Sequence, residues 1–592
     1  MCGIFGYAGK RSDALEIVFE GLKDLEYRGY DSWGVAVVPE NNNGNGRIVV
    51  KKKAGKIGRS SIDDLPQGTL ALGHTRWATH GGATESNAHP HLDCTGTIAL
   101  VHNGIFENYE SIKKELLKKG HTFTSETDTE VAVHLVEEYA KTMTFHEAVR
   151  RTFNKMDGLN AIIVFRVNDH ELVVARNGSP LIIGFSKKEN FVASDAAALV
   201  PHTKIVHFLE DGQMAIIRDN TVSILHAKNG KPIQPIKHKL SWSIAQTEKG
   251  KYRYFMLKEI NEQPKIVRDI ASTLSQAEKL AKVIKKFRNV YLMGCGSASY
   301  VSLAGSYLFS QIAKYPINWA IGSEFWHQLK FLTKNDLVIA LSQSGETMDT
   351  LEPIKEAKIQ GAKIIAIVNV LGSTLYREAD YKILIGAGPE KSVASTKAVT
   401  GKLAHLIALS YAFSGKSKEG KALLMEAAKS SEMVLESKNI TRIKLLAKRL
   451  KNTRHIYIVG RGLSYPASLE TAMKLKEISY IHAEGMAAGE LKHGPLALVE
   501  KGTPCIVFIP NDELYSANLA SAMEMKARGG MIIGVSYKNH DIFDYYLPVV
   551  DAREATIIPN IITGQALAYY LTILRGLDPD KPRNLAKSVT VK

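Results

Sequence analysis

The chain has 592 residues, which is too long for one hydrophobic core and predicts three or four domains. Charged residues make up 23% and hydrophobic residues 45%, as in an ordinary soluble globular protein. The formal net charge of +16 is spread along the chain without zinc-finger spacing or an RNA-binding aromatic motif. We therefore expect anionic small molecules, and no nucleic acid, as partners.

The spacing of the cysteines and the hydropathy of the chain indicate its cellular location. Four cysteines, Cys2, Cys94, Cys295 and Cys505, lie far apart with no C-x-x-C. This spacing argues against a disulfide framework and a cysteine zinc site, and it predicts a reducing, cytoplasmic location. The start has no signal-peptide pattern, and no apolar run approaches the ~18 residues that cross a bilayer, so we predict no membrane association.

Residues 1–235 are rich in short, β-branched runs that are bounded by Gly, Asn or Asp. The clearest strand-like runs are 34–38, 96–101 and 160–165, and the helical stretches among them are 107–119 and 127–141. This mixture predicts a layered α/β domain with a largely antiparallel sheet.

Cys2 follows the initiator Met1, which is removed readily before a small residue. The mature chain would then begin with Cys2, so one residue carries both a thiol and a free α-amino group. The amine titrates near pKa ~8 and the thiol near ~8.5, so the amine can act as base for the nucleophile. The alternative is a small buried residue at the start of a strand.

Several polar clusters follow in the same domain. They are residues 27–32, 73–81, 87–91, 101–104 and 126–130. His89 and His91 lack a third ligand at a supporting spacing, so we predict no metal ion. Asn103-Gly104 is either a turn or an oxyanion hole. Arg76 and Asp128 are either a surface ion pair or the two groups that bind the ends of an amino acid.

Together these motifs resemble the N-terminal-nucleophile glutamine amidotransferase domain over the first 235 residues. The resemblance implies that Cys2 attacks the glutamine side-chain amide, with the oxyanion stabilised by Asn103 and Gly104. It implies that Arg76 and Asp128 hold the α-carboxylate and α-amino groups. It also assigns ammonia gating to Trp77 and further substrate contacts to Thr79, His80 and His89.

The second half of the chain is a duplicated parallel α/β region. A polar linker and joining helix, 236–279, separates it from the first domain. Apolar strands alternate with longer amphipathic helices, which predicts βαβ units. Three strand pairs repeat at an offset of about 166–168 residues: 289–294 with 455–460, 336–341 with 504–509, and 364–368 with 531–535. We predict domains at 280–420 and 447–582 and a polar tail at 583–592.

Three hydroxyl-rich turns occur in the first copy. They are Gly294–Ser299, Leu341–Thr347 and Glu390–Lys397. Hydroxyls and backbone N–H groups at helix N-termini form anion sites, although a Ser/Thr cap with a nearby Glu is also common. Three such turns in one parallel sheet predict a ligand at the carboxyl ends of the strands. No G-x-x-x-x-G-K-[ST] is present, which argues against a nucleotide-hydrolysing P-loop.

These turns resemble those of phosphosugar-binding sugar isomerase domains. The whole chain, including 249–264 and the tail, resembles the isomerising glutamine:fructose-6-phosphate aminotransferase family. The implied fold is α/β multidomain, with an N-terminal-nucleophile glutaminase (a layered α/β sandwich) followed by two tandem parallel-sheet sugar isomerase domains. The implied substrates are glutamine and fructose 6-phosphate, with no cofactor, internal ammonia transfer and a homodimer.

The same resemblance implies roles in the isomerase half. Lys587 would form a Schiff base with the opened ketose, and Glu477, with Lys474 nearby, would move the proton between C1 and C2. His493 would assist ring opening from the neighbouring subunit. The implied phosphosugar contacts are Ser297, Ser299, Ser342, Gln343, Ser344, Thr347, Val393, Ala394 and Ser395. Ala298 departs from the Thr-Ser pair that is frequent in the family, so one hydroxyl is lost or supplied by Ser299.

Two other functions are compatible with parts of this pattern. One is a related amidotransferase or deglycase that acts on a different phosphosugar or sugar–amine conjugate. The other is a phosphosugar sensor with vestigial chemistry, against which Cys2, Glu477, His493 and Lys587 argue, since a sensor needs only the phosphate loops.

Overall fold

The computed structural model describes residues 2–40, 46–240 and 242–589. The chain forms two compact units, one reaching Glu248 and including the segment from Ala586, the other spanning Lys249–Leu585. Met1 and the last three tail residues lie outside the described residues, so the predicted removal of Met1 is not addressed.

The first unit consists of short strands and a few helices. Its strands are β1 (Gly3–Gly9), β2 (Ser32–Val38), β3 (Val49–Ala54), β4 (Leu70–Arg76), β5 (His91–Leu92), β6 (Ile98–Gly104), β7 (Asn160–Arg166), β8 (Leu172–Asn177), β9 (Ile182–Phe185), β10 (Glu189–Ala193), β11 (Ile205–Phe208), β12 (Gln213–Ile217), β13 (Val222–His226), β14 (Pro232–Ile233) and β15 (His238–Lys239). Its helices are α1 (Ala14–Leu25), α2 (Tyr109–Lys118), α3 (Asp128–Ala140), α4 (Phe145–Lys155) and α5 (Ile244–Thr247).

Two antiparallel sheets stack in this unit, as predicted. One has the order β15-β11-β9-β10-β1-β4-β2-β3 and the other β14-β13-β12-β8-β7-β6-β5. Ile4 and Leu72 from the first sheet pack with Val101 and Ile163 from the second in a shared core. Helices α2, α3 and α4 cover the outer face of the second sheet. β7 reads as a continuous apolar run because both of its faces are buried.

The start of the segment predicted to be a linker, 236–279, is built into this unit. β15 in this segment pairs with β11, and β14, just before it, pairs with β13, so both extend sheet edges. Their two-residue lengths leave no alternating pattern in the sequence from which a strand could be predicted.

The second unit alternates parallel strands and helices. Its strands are β16 (Asn289–Gly294), β17 (Asn318–Ile321), β18 (Asp336–Ser342), β19 (Lys363–Val368), β20 (Tyr381–Leu384), β21 (His455–Gly460), β22 (His482–Ala487), β23 (Pro504–Ile509), β24 (Met531–Ser536) and β25 (Tyr545–Pro548). Its helices are α6 (Phe255–Ala271), α7 (Ser275–Ile284), α8 (Ser297–Leu308), α9 (Trp326–Leu329), α10 (Met348–Ile359), α11 (Thr374–Glu378), α12 (Lys397–Phe413), α13 (Ser417–Val434), α14 (Ser437–Leu450), α15 (Ser464–Lys474), α16 (Tyr515–Lys526) and α17 (Ile557–Leu574).

The duplication is confirmed by topology and by a local irregularity. The two five-stranded sheets have the orders β17-β16-β18-β19-β20 and β22-β21-β23-β24-β25, all parallel. In each copy the first helix continues into a π-helical turn, Phe309–Ala313 and Leu475–Ser479, which ends at a left-handed residue, Lys314 or Tyr480. Such π turns are rare and occur often at functional sites.

One helix corrects the hydropathy prediction. The stretch Arg553–Leu574, which contains α17, is long and apolar enough to cross a membrane, with a mean hydropathy of 1.4. Of the 18-residue window that has this hydropathy, 83% is buried within the structure. The helix packs against α13, α14 and α15. Its apolar composition is accounted for by this central position, since a helix that is hydrophobic all round is a core helix when protein surrounds it.

Candidate active sites

Cys2 lies immediately before β1, at the mouth of a small cavity in the first unit. β1 pairs with β4, which brings Cys2 beside the residue that follows β4, Trp77. The Trp77 backbone N–H donates to Cys2 Sγ at 3.2 Å. The Cys2 carbonyl accepts from Asn103 Nδ2 at 3.0 Å and from Arg28 Nε at 3.3 Å. The thiol is therefore only partly buried and faces a cavity, which disfavours the alternative of a buried strand residue.

The same cavity collects most of the predicted glutaminase residues. Its lining residues are Cys2, Arg76, Trp77, Thr79, His89, His102, Asn103, Gly104, Asp128 and Thr129. His80 does not line it, but the His80 carbonyl accepts from Arg76 Nη2. His102 and Thr129 were not predicted as site residues, although each is adjacent to one that was.

Asn103 ends β6 and is held in one orientation by His74. His74 Nε2 lies 3.1 Å from Asn103 Oδ1 and 3.0 Å from the His102 carbonyl. Burial lowers the pKa of His74 to about 3, so its ring is neutral and Nε2–H donates. This contact directs the Asn103 amide nitrogen toward Cys2. Sequence reasoning missed His74 because its role acts through another side chain.

Gly104 follows in a conformation that only glycine adopts easily. Its φ is +135°, and a Cβ would lie 2.0 Å from the Leu159 carbonyl oxygen. No other residue could replace Gly104 without strain, so its backbone N–H keeps one position beside the thiol. A fixed N–H suits an oxyanion site better than an ordinary turn, at which other residues would be tolerated.

Arg76 and Asp128 are not a surface pair. Their exposures are 4% and 5%, and each is bonded to the backbone. Arg76 donates to the carbonyls of the 80–82 loop, including Gly82 at 3.1 Å, and Asp128 Oδ2 accepts from the Phe106 N–H at 2.8 Å. A buried cation and a buried carboxylate at one cavity suit the two ends of an amino acid.

His89 and His91 have hydrogen-bonding roles. His89 Nδ1 lies 3.5 Å from the His102 N–H, and His91 Nε2 lies 2.9 Å from Thr127 Oγ1. Burial lowers the pKa of both rings. These contacts explain the buried histidine pair without a metal ion.

In the second unit, the three predicted hydroxyl-rich turns lie at the carboxyl edge of the first parallel sheet. Each leads into a helix, namely α8, α10 and α12. The strand order reverses between β16 and β18, and ligands of open α/β sheets bind in the crevice at such a point.

The turn after β18 is organised around its own hydroxyls. Ser342 Oγ accepts from the Gly345 N–H at 2.9 Å and lies 3.4 Å from Thr347 Oγ1, and Ser344 Oγ accepts from the Glu346 N–H at 3.1 Å. Thr347 caps α10 without a side-chain hydrogen bond to it, and Glu346 accepts from the Thr374 N–H at 2.8 Å. Neither residue makes the ordinary capping contact, so the turn is shaped for something other than capping.

In the other two turns, the hydroxyls of Ser299 and Ser395 are bonded to protein groups. Ser299 is buried, and its Oγ accepts from Trp319 Nε1 at 3.2 Å, so it faces Trp319. Ser395 Oγ donates to Glu390 at 3.0 Å, and the Val393 N–H donates to the Asp580 carbonyl at 3.0 Å. Ser297 begins α8, whereas Ala394 is buried.

Lys474 and Glu477 form an ion pair in which Lys474 is fully buried and Glu477 is partly exposed. Lys474 is fully buried between Glu477 Oε2 and Glu470 Oε1, the latter at 3.5 Å. Burial lowers the pKa of Lys474, but the two carboxylates outweigh it and raise the pKa overall. Burial raises the pKa of Glu470 to about 7. Glu470 was missed, although positions 470, 474 and 477 share one helix face.

His493 and Lys587 lie apart from these clusters along the chain. His493 is exposed in a short 3₁₀ turn after β22. Lys587 is half-buried in the segment that groups with the first unit. The roles assigned to both stay predictions.

Comparison with known proteins agrees with this division. The glutamine amidotransferase domain profile matches residues 58–253, and the SIS domain profile matches residues 283–412 and 449–567. Glutamine–fructose-6-phosphate aminotransferases [isomerizing] of Pyrococcus horikoshii and Thermococcus kodakarensis are 42% and 44% identical, each over 100% of both chains.

A solved structure covers the isomerase half. It is the C-terminal domain of glucosamine-fructose-6-phosphate aminotransferase from Francisella tularensis, which is 34% identical with a TM-score of 0.52. The match covers 57% of this chain and 99% of that one. The chain therefore belongs to the family of isomerising glutamine–fructose-6-phosphate aminotransferases.

Proposed function

We propose that this enzyme converts D-fructose 6-phosphate and L-glutamine to D-glucosamine 6-phosphate and L-glutamate. The observation that carries the proposal is full-length similarity to curated aminotransferases together with a glutaminase-type cavity around Cys2. Ammonia would pass internally from the glutaminase site to the isomerase site, with Trp77 as its gate.

The glutaminase reaction follows from the groups around Cys2. The Cys2 thiol passes its proton to the α-amino group that removal of Met1 exposes, and the thiolate attacks the side-chain amide carbon of glutamine. Asn103 Nδ2 and the Gly104 N–H stabilise the tetrahedral oxyanion. The α-ammonium group of Cys2 returns the proton to the leaving nitrogen, so ammonia departs as the C–N bond breaks and a thioester forms; water then hydrolyses the thioester, which releases glutamate and restores the thiol. Arg76 and Asp128 hold the α-carboxylate and α-ammonium groups.

The isomerase reaction is assigned to the second unit and the tail. Ser342, Gln343, Ser344 and Thr347 bind the phosphate at the N-terminus of α10, where the helix dipole also favours an anion. Lys587 forms an imine with C2 of the opened sugar as water leaves, ammonia then replaces the lysine nitrogen at C2, and Glu477 moves the proton between C1 and C2. Lys474 holds Glu477 in place by the buried ion pair.

Assembly and location complete the proposal. His493 would open the sugar ring in the neighbouring subunit of a homodimer, a role that suits its exposed position. None of the four cysteines forms a disulfide, which supports a reducing, cytoplasmic setting.

The deciding experiment combines product identification with covalent trapping. Incubation with both substrates should yield glucosamine 6-phosphate and glutamate in equal amounts. Borohydride reduction with fructose 6-phosphate should fix the sugar on the peptide carrying Lys587, and Lys587→Arg, which cannot form the imine, should bind sugar phosphate without making product. Near-normal synthesis by Lys587→Arg would overturn the isomerase mechanism, and the duplicated region would then be a binding module.

A further inference from the structure

A mixed cluster of metal-ligating side chains lies in the first unit, apart from the Cys2 cavity. Among the described residues, Cys94, His121, His134 and Glu137 each offer one ligand atom, and these four atoms lie within 4.8 Å of one another. None of the four lines the cavity around Cys2. Cys94 is exposed, whereas both histidines are buried. Solvent therefore reaches the cluster on the side of the thiol and is excluded on the side of the histidines.

Three separate segments converge on this point. Cys94 lies in the turn between β5 and β6, and His121 follows α2. His134 and Glu137 lie on α3 at positions i and i+3, which share a helix face. A metal site at this point could not be predicted from the sequence, because these ligands follow no short zinc-binding spacing.

The distances suit a tetrahedral ion. Zinc binds nitrogen at about 2.0–2.1 Å and sulfur at about 2.3 Å, which separates neighbouring tetrahedral ligand atoms by roughly 3.3–3.6 Å. Cys94 Sγ lies 3.7 Å from His121 Nδ1 and 3.6 Å from His134 Nδ1. Both imidazole Nδ1 atoms lie 3.0 Å from Glu137 Oε2. Small side-chain adjustments would centre an ion among the four atoms.

The outer contact of His121 also suits a metal ligand. His121 Nε2 lies 3.2 Å from Glu138 Oε2, whereas His134 Nε2 lies 3.8 Å from Glu130 Oε1, which is too far for a hydrogen bond and leaves a short side-chain movement between them. Metal-bound histidines nearly always direct their second nitrogen to a carboxylate or carbonyl. The outer carboxylates are themselves held, Glu138 by Lys119 and Lys141 and Glu130 by the Thr124 and Ser125 N–H groups.

The contacts of His121 show how a metal site differs from a plain ion-pair cluster. Without an ion, Glu137 Oε2 accepts from both Nδ1 atoms and from the Cys94 N–H, so His121 Nε2 can donate to Glu138 only as an imidazolium. With an ion, each Nδ1 gives its lone pair to the metal, and the Nε2–H of a neutral His121 ring donates to Glu138.

We propose that Cys94, His121, His134 and Glu137 bind one Zn²⁺ ion as a structural site. Thiolate, carboxylate and two neutral imidazoles give an electrically neutral centre with the divalent ion. Binding displaces the proton of the Cys94 thiol and any proton held on the two Nδ1 atoms. The ion fixes α3, which begins at Asp128, to the β5–β6 turn and to the segment after α2. This site replaces the sequence-based prediction of no metal ion.

The test uses the full chain with Cys2→Ala, so that the nucleophilic thiol cannot bind metal. After chelator treatment, incubation with Zn²⁺ and desalting, elemental analysis should find about one zinc ion per chain. Zn²⁺ should also raise the thermal unfolding midpoint, because it binds only the folded cluster. Adding Cys94→Ser should weaken zinc binding at least about tenfold, whereas the matched thiol control Cys295→Ser should leave it unchanged.

Cobalt gives an independent spectroscopic readout. Co²⁺ in the Cys2→Ala chain should show a sulfur-to-cobalt charge-transfer band that disappears in Cys94→Ser and remains in Cys295→Ser. His134→Gln should likewise lose the metal. If that variant misfolds, zinc binding by the Cys94→Ser chain remains the test, because Cys94 is exposed and its replacement should not disturb folding. Absence of retained zinc, or equal affinity in the Cys94→Ser chain, would show that the cluster is an ion-pair network.

Discussion

At the residue scale, the Cys2 environment separates nucleophilic chemistry from sugar binding. Cys2→Ala should abolish glutamine-dependent synthesis and leave fructose 6-phosphate binding intact, because the phosphate turn belongs to the other unit. Cys2→Ser should be nearly as inactive, since a hydroxyl is far harder to deprotonate than a thiol. Glutamate release and sugar-phosphate affinity measured on the same preparations test both statements. An active enzyme whose intact mass retains Met1 would exclude the N-terminal amine as the base.

A second residue-scale consequence concerns the histidines that burial keeps neutral. Burial lowers the pKa of His74 to about 3 and also lowers the pKa values of His89 and His102. The unfolded chain, whose histidines titrate near pH ~6.5, therefore binds more protons than the native chain below that pH. In the metal-free chain His134 opposes this because its pKa is raised: burial lowers it, but the contacts with Glu130 and Glu137 outweigh that effect.

Stability should accordingly be full above about pH 6.5 and fall toward about pH 5, by roughly 1.4 kcal/mol per pH unit for His74 alone. Glu470 opposes the histidines over this range, because burial raises its pKa to about 7 and the folded chain keeps a proton that the unfolded carboxyl, which titrates near pH ~4, releases; the three lowered histidines outweigh it. Calorimetric midpoints at the two pH values measure the loss, and His74→Gln, which removes one titrating ring, should make it smaller. Equal midpoints for the parent chain at both pH values would contradict the neutral-histidine assignment.

At the element scale, α10 and the turn before it form the phosphate site. Ser342, Ser344 and Thr347 place three hydroxyls at the helix N-terminus, and each hydrogen bond to a dianion contributes ~1.5–3 kcal/mol. Replacing all three by Ala should raise the Michaelis constant for fructose 6-phosphate strongly while glutamine hydrolysis without sugar changes little. The equivalent helix α16 follows Pro510-Asn511-Asp512-Glu513 and offers a control, since Asn511→Ala should leave that constant unchanged. A triple variant with the parental constant would move the phosphate site elsewhere.

The predictability of the elements depended on their periodicity and burial. The strands around 34–38 and 160–165 and the helices around 107–119 and 127–141 were predictable because each has a clear apolar pattern. β14 and β15 were not, because two-residue edge strands carry no period. The apolar length of α17 was underestimated because Asn560, Thr563 and Gln565 interrupt the run, yet all three are buried with it.

At the scale of the whole molecule, the duplication was visible because two copies share the spacing of their strands. Residues whose role is to position another side chain could not be predicted in this way. His74 orients Asn103, and Glu470 completes the carboxylate pair around Lys474, but each looks in sequence like an ordinary strand or helix residue. The proposed zinc ligands could not be predicted either, because position 94 meets positions 121, 134 and 137 only when the sheet and α3 have folded.

The final prediction concerns assembly. If His493 completes the site of a neighbouring chain, His493→Ala and Lys587→Ala should each be inactive alone, because every site in either homodimer lacks one group. Mixing the two under subunit exchange forms heterodimers in which one site carries both defects and the other carries neither. Synthesis should then recover to a fraction of the parental rate that is set by the share of heterodimers. A mixture of Cys2→Ala and Lys587→Ala chains tests whether ammonia also passes from one chain to the other. Demonstrated heterodimers without recovered activity would place His493 and Lys587 in the site of one chain.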